Sequence, residues 1–199
     1  MPDFDFSTDI LLENERVRLQ PLSVDDFEHL AAIAYEDQNL LQFSPRSVHT
    51  PELLRAYIDL ALKDRAAQFR YALVVFDKAT QQYGGSTSFV NISNPDKRLE
   101  IGYTWYGRSF QQTGLNRNCK WLLLNYAFET LGFERAEFRT DERNIQSRTA
   151  IQKLGAQQEG ILRSHTVMSD GFRRNTVCFS ILKDEWQMIR QNFPLKKNV

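Results

Sequence analysis

Residues 98–132 read "RLEIGYTWYGRSFQQTGLNRNCKWLLLNYAFETLG", and the way this stretch divides decides the fold. Its first nine residues alternate Leu99, Ile101, Tyr103 and Trp105 against Glu100, Gly102, Thr104 and Tyr106, the period of a strand. A polar loop, "GRSFQQTG", follows. Residues 115–132 then form a long apolar-striped helix that stops at Gly132. Trp121, Leu122, Leu123, Tyr126, Phe128 and Leu131 supply its buried face. A strand feeding through a polar loop into a helix start is a ready place for an anion. The first helical N–H groups have no intrahelical partner, and the helix dipole is positive at that end. Gly114 stands at the junction and removes a Cβ where a ligand passes closest. Arg108 and Arg117 bring charge. A plain turn before a core helix fits the same spacing.

Upstream, "RVRLQPL" (16–22) alternates like a short strand. "SVDDFEHLAAIAYE" (23–36) reads as a helix capped by Ser23, and "TPELLRAYIDLALKD" (50–64) as a second with Thr50 as cap and Pro51 at its first position. "YALVVF" (71–76) and "GGSTSFVNI" (84–92) are strands, and "NPDKR" turns the chain into the next one. Downstream, "RAEFRT" (135–140) is a strand. "NIQSRTAIQKLG" (144–155) is a helix with Asn144 as cap and Gly155 past its end. "GILRSHTVM" and "RNTVCFSIL" make a hairpin around "SDG", with Arg173 and Arg174 as surface residues at its tip. "KDEWQMIRQNF" is a terminal helix or turn, and "LKKNV" a solvated tail. The order β, α, α, β, β, β, α, β, α, β, β predicts a mixed α/β sheet, not a regular dinucleotide-binding repeat.

The chain has 199 residues, 42% of them hydrophobic and 25% charged, with equal numbers of acids and bases. That suits one domain spanning residues 1–199 with a core at about 15–186. Zero net charge argues against nucleic acid as partner, and no apolar run approaches a membrane span or a signal sequence. Two cysteines, Cys119 and Cys178, without metal-ligand spacing read as reduced packing thiols of a cytoplasmic protein. Three scattered histidines give no metal site.

At residues 99–162 the sequence resembles the core of the GNAT-superfamily N-acetyltransferases of the RimJ/RimL-like group. The family's phosphate loop is Gln/Arg-x-x-Gly-x-Gly/Ala. Here it reads Gln111-Gln112-Thr113-Gly114-Leu115-Asn116, which matches at the first and fourth positions and departs at Asn116. "LEIGY" on the preceding strand, the Asn144-x-x-Ser147 helix start and "KLGA..EG" agree with the same group. The resemblance implies a mixed, mostly antiparallel sheet flanked by helices, with two central strands splayed apart. Acetyl-CoA, the co-substrate, would wedge into the opening. Its pantetheine arm would pair with the strand at Tyr103, Thr104 and Trp105, its diphosphate would sit on residues 111–116, and Asn144 would contact the arm.

The implied activity is direct transfer of an acetyl group to an amine, either a protein N-terminus or a small molecule, without a metal. A thioester is already activated, so the protein must chiefly remove a proton from the amine, stabilise the oxyanion and help the thiolate leave. Glu100, on the polar side of its strand, is the candidate base; its structural alternative is a partner for Arg98. Ser147 is the candidate donor to sulfur, or a residue that simply bonds backbone in the first helical turn. A coenzyme-A-binding sensor without catalysis is the alternative function. The acceptor and the choice between monomer and homodimer are not specified by any motif.

Overall fold

The computed structural model describes residues 1–193, so the "LKKNV" tail lies outside the described residues. Two short strands, β1 (Leu12–Glu13) and β2 (Val17–Pro21), lead into helices α1 (Asp26–Tyr35) and α2 (Pro51–Ala66). Three longer strands follow: β3 (Arg70–Asp77), β4 (Gln82–Ser93) and β5 (Arg98–Tyr106). Then come α3 (Leu115–Asn125), β6 (Arg135–Asp141), α4 (Ile145–Gln152), β7 (Gln157–Val167), β8 (Arg173–Leu182) and α5 (Lys183–Gln191). The expected elements are all present, and β1 is an addition. The terminal segment that read as helix or turn is helix, anchored by the fully buried Trp186.

Local chemistry explains where several helices begin. Thr50 caps α2 by accepting from the Leu53 N–H, with Pro51 at the first position, as the sequence predicts. α1 starts later than expected. The Asp26 carboxylate accepts the Ser23 N–H at 2.8 Å and its hydroxyl at 3.2 Å. Residues 23–25 are thereby held as a turn, and Ser23 is not the cap. The predicted helix 115–132 is also not uniform: α3 runs to Asn125 and is continued by a π-helical turn over Tyr126–Thr130. Gly132 and Gly155 both take positive φ at the ends of their helices.

The eight strands form one sheet in the order β1-β2-β3-β4-β5-β6-β8-β7. Every neighbouring pair is antiparallel except β5 and β6, which run parallel. That parallel junction is short: Arg98, Leu99 and Glu100 pair with Arg135, Ala136 and Glu137, and there the ladder ends. Beyond it the two strands carry no ladder between them.

Helices cover both faces. Ser86 and Thr87 are successive residues of β4 and so point to opposite faces. Tyr57 of α2 donates to Ser86 Oγ, whereas Thr87 bonds Thr104, which in turn accepts from Lys120 of α3. Leu73, Phe89, Leu99, Phe138 and Phe179 are buried in the sheet itself. Burial of such side chains, each worth roughly 1.5–3 kcal/mol, supplies the main driving force. Cys119 is buried and Cys178 half-buried, and both are free thiols. Among the described residues no helix is long and apolar enough to cross a membrane, and no group of three His, Cys, Asp or Glu is placed to hold a metal ion.

Candidate active site

Glu100, Tyr103, Thr104 and Trp105 lie on β5 where its ladder with β6 ends, and Gln111 bonds the end of that strand at the Tyr106 carbonyl. The simple alternation read for β5 is broken there. Ser86 pairs with Trp105 and Ser88 with Gly102, so β5 holds one residue more than β4 between these pairs, a β-bulge at Tyr103 and Thr104. Tyr103 has φ +51°, an uncommon conformation for a bulky side chain. The bulge reverses the phase of the strand. Glu100, Tyr103 and Trp105 face α2, while Thr104 and Tyr106 face α3.

On the α2 face Arg70 is fully buried. It donates to Tyr57 Oη at 2.6 Å and to Ser88 Oγ at 2.9 Å, and its guanidinium stacks 4.2 Å from the centre of the Tyr103 ring. This stacking holds the bulged tyrosine in place. Arg70 Nη1 and the Trp105 indole N–H are buried without a protein partner among the described residues.

Glu100 stands at the last rung before the splay and is 7% exposed. Asn91 Nδ2 donates to its carboxylate at 2.7 Å, and Arg139 Nε lies at 3.3 Å. Its partner is therefore Arg139, while Arg98 pairs with Asp96. Burial pushes the Glu100 carboxyl above the usual range, with Asn91 and Arg139 opposing and Glu137 assisting. A raised carboxyl is the direction that suits a general base. Arg174 also reaches this side. Instead of projecting from the hairpin tip, it is partly buried and donates to the Phe43 carbonyl at 3.0 Å.

The loop 107–114 and the start of α3 form the second part of the site. Gly114, the N-cap, has φ +90° and gives no side-chain cap, and an added Cβ would meet nothing within 4 Å. The helix end thus opens onto free space, which fits a diphosphate approaching the backbone closely. Gln112 shares the positive φ, at 61°, and is exposed. Gln111 and Thr113 brace the loop itself: the Gln111 amide donates to the Tyr106 carbonyl and the Thr113 hydroxyl to the Phe110 carbonyl. Leu115 is buried, and its N–H points to Thr113 Oγ1 at 3.4 Å. Asn116 is half-buried in the first turn. Arg108 is tied to Asp37 at the end of α1. Asn118 donates to the Gly114 carbonyl and accepts from Asn14, which fixes the helix start against the chain before β2.

The third part is α4. Asn144 accepts the Ser147 N–H at 3.0 Å and so caps the helix. The Ser147 hydroxyl makes no hydrogen bond to a described residue, so it does not bond back to the helix.

Sequence reading missed Arg70, Asn91 and Arg139. The alternation of Glu137 and Arg139 against Ala136 and Phe138 in "RAEFRT" was the available signal for Arg139. Nothing local marks Arg70, whose role depends on the bulge.

A mixed sheet that opens beside an uncapped helix start, with a buried carboxylate at the vertex, defines the acyl-coenzyme-A transferase class of α/β protein. The chain belongs to the acetyltransferase (GNAT) domain family, whose profile matches residues 16–157. It is similar to the "Putative ribosomal N-acetyltransferase YdaF" of Bacillus subtilis (strain 168), at 28% identity covering 87% of this chain and 95% of the relative. Among solved structures it is similar to a GCN5-related N-acetyltransferase from Brucella melitensis, with TM-score 0.88, 26% identity, and coverage of 96% of this chain and 86% of that one. It shares its fold with a ribosomal-protein-S5-alanine acetyltransferase from Vibrio fischeri, with TM-score 0.69, 20% identity, and coverage of 89% and 99%. The protein is accordingly an acyltransferase of the RimJ/RimL-like kind, and the family's co-substrate is acetyl-CoA.

Proposed function

We propose that this chain transfers an acetyl group from acetyl-CoA directly to an amine, with the α-amino group of a protein N-terminus as the preferred acceptor. The observation that supports it most is the combination of a three-pair β5–β6 junction with an open helix end at Gly114. The coenzyme supplies an activated thioester, so no covalent enzyme intermediate is needed. The α3 start and the backbone of residues 111–116 hold the diphosphate. The unladdered edge of β5 at Tyr103, Thr104 and Trp105 holds the arm, and the Asn144 end of α4 lies on its other side.

Glu100 takes the proton from the amine as its nitrogen bonds to the acetyl carbon. A β5 backbone N–H near the bulge donates to the oxyanion. The Ser147 hydroxyl, which bonds none of the described residues, donates to the sulfur as the carbon–sulfur bond breaks. The name of the Bacillus subtilis relative supports a ribosomal protein as acceptor.

The deciding experiment follows free thiol release from acetyl-CoA with peptides bearing free N-termini, matched N-blocked peptides, and small polyamines. Release that depends on the free N-terminus is expected. Tight acetyl-CoA binding without turnover on any amine would assign the chain to coenzyme sensing instead.

A further inference from the structure

Lys120 lies in the middle of α3, yet it is only 5% exposed. Its Nζ donates to Thr104 Oγ1 at 2.7 Å and stands 5.9 Å from the centre of the Phe138 ring. Thr104 belongs to β5 and Phe138 to β6, and both lie beyond the last rung at Glu100 and Glu137. The ammonium therefore spans the floor of the splay, on the face opposite Glu100.

Three further facts make the placement unusual. No carboxylate of the described residues pairs with Lys120. The neighbouring Cys119 thiol is pushed up to about 12 by burial and so stays neutral. An ammonium has three donors, and Thr104 takes only one of them. A buried cation with one neutral partner is costly. Burial pulls the Lys120 amine down to about 8, which reports that cost and still leaves it mostly protonated at neutral pH. Packing alone would be served better by leucine or methionine. A buried, under-partnered cation beside an opening in the sheet is a candidate ligand contact.

A ligand that reaches Lys120 must lie between β5 and β6 past their last pair and offer neutral or negative acceptors. The arm of coenzyme A carries two amide carbonyls and meets that description. We propose that Lys120 is a coenzyme-binding residue that donates from beneath the splay to an amide carbonyl of the pantetheine arm. This rests on the acetyl-CoA reading above. It adds a contact on the α3 face, where the phosphate loop and the β5 backbone give none.

The test uses two ligands that share one end. Coenzyme A has the nucleotide and the arm, whereas adenosine 3′,5′-bisphosphate has the nucleotide alone. Calorimetric affinities are measured for the unmodified chain, Lys120→Met and Lys120→Gln, with thermal melts of each. Lys120→Met is expected to weaken coenzyme A by about tenfold to a hundredfold, the worth of one hydrogen bond to a charged group. It should leave the bisphosphate within about twofold and melt no lower than the unmodified chain, because an unpaired buried cation is gone. Lys120→Gln keeps a donor and should recover part of the loss.

Equal coenzyme A affinity in all three chains overturns the assignment to Lys120 alone. Parallel loss of both ligands also overturns it, since that places the effect at the nucleotide end. If the unmodified chain binds neither ligand, the acetyl-CoA reading falls as well. If Lys120→Met does not fold, Lys120→Gln against both ligands applies the same criteria.

Discussion

The starts of α3 and α4 are two helix ends on the same side of the sheet, built in opposite ways. α4 is closed by its own residue, since Asn144 accepts the Ser147 N–H. α3 begins at a left-handed glycine with no side-chain cap and open space above it. Both helices had access to capping chemistry, because Ser, Thr and Asn occur near each start. At α4 the chain supplies its own acceptor, worth about 1 kcal/mol. At α3 no side chain caps the start, and this contrast supports the proposed diphosphate site beside a loop pattern that departs from its family at Asn116.

The largest effect should come from closing the open end. Gly114→Asp places a carboxylate where phosphate would sit and forces φ +90° on a side chain. Acetyl-CoA binding should be lost by calorimetry while the circular dichroism spectrum stays native. A folded variant with full affinity would erase the difference between the two ends.

An occupied α3 end is useful only if an amine can be deprotonated nearby. Glu100→Gln should lower kcat/KM by about 10²–10⁴ with acetyl-CoA affinity unchanged. A base works ionised, and burial holds this carboxyl above its usual range. The rate of the unmodified enzyme should therefore climb with pH through that raised value, and the Gln variant should lose this acid limb. A retained limb would move proton removal to another group.

The third test asks whether α4 is merely closed or also belongs to the site. Ser147→Ala should reduce kcat and kcat/KM together by about tenfold, with the melting temperature unchanged, since its hydroxyl bonds none of the described residues. An altered melting temperature with an unchanged kcat would make α4 purely structural. Asn144→Ala removes the cap itself and should cost about 1 kcal/mol in denaturant unfolding. The smallest effect belongs to Asn116. Replacement by Gly should change acetyl-CoA affinity by less than about threefold, and a complete loss would show that its amide is a ligand to the diphosphate.

Much of this was legible because it is written locally. Thr50 with Pro51, Asn144 before an apolar stripe, and glycines at helix ends each state a boundary within a few residues. "RLEIGYTWY" states a strand equally well. It does not state the bulge, because the same alternation fits a regular strand and only the register against β4 reveals the extra residue. Glu100 stood out as the one carboxylate on an apolar strand, but its partners come from β4 and β6, chosen by sheet order. Asp26 misled for a related reason: a carboxylate three residues after Ser23 bonded back to it and delayed the helix. Lys120 was the least visible residue of all, since a lysine in a helix reads as solvent-facing until the sheet beneath it opens.

The brevity of the β5–β6 junction has a mechanical consequence. Strands β1 to β5 and strands β6, β8 and β7 are two panels joined by three rungs. A chain molecule bound along residues 101–106 and 138–141, as proposed above, would add the missing rungs and work as a rivet. In solution the amide protons along that seam should exchange with deuterium quickly in the free protein and slowly with coenzyme A present. The panels should also tighten as the ligand is added, by about 2.7 kcal/mol at a hundredfold excess over Kd. On the proposed binding mode the coenzyme would count as part of the sheet, and the seam would be complete only while the ligand is bound.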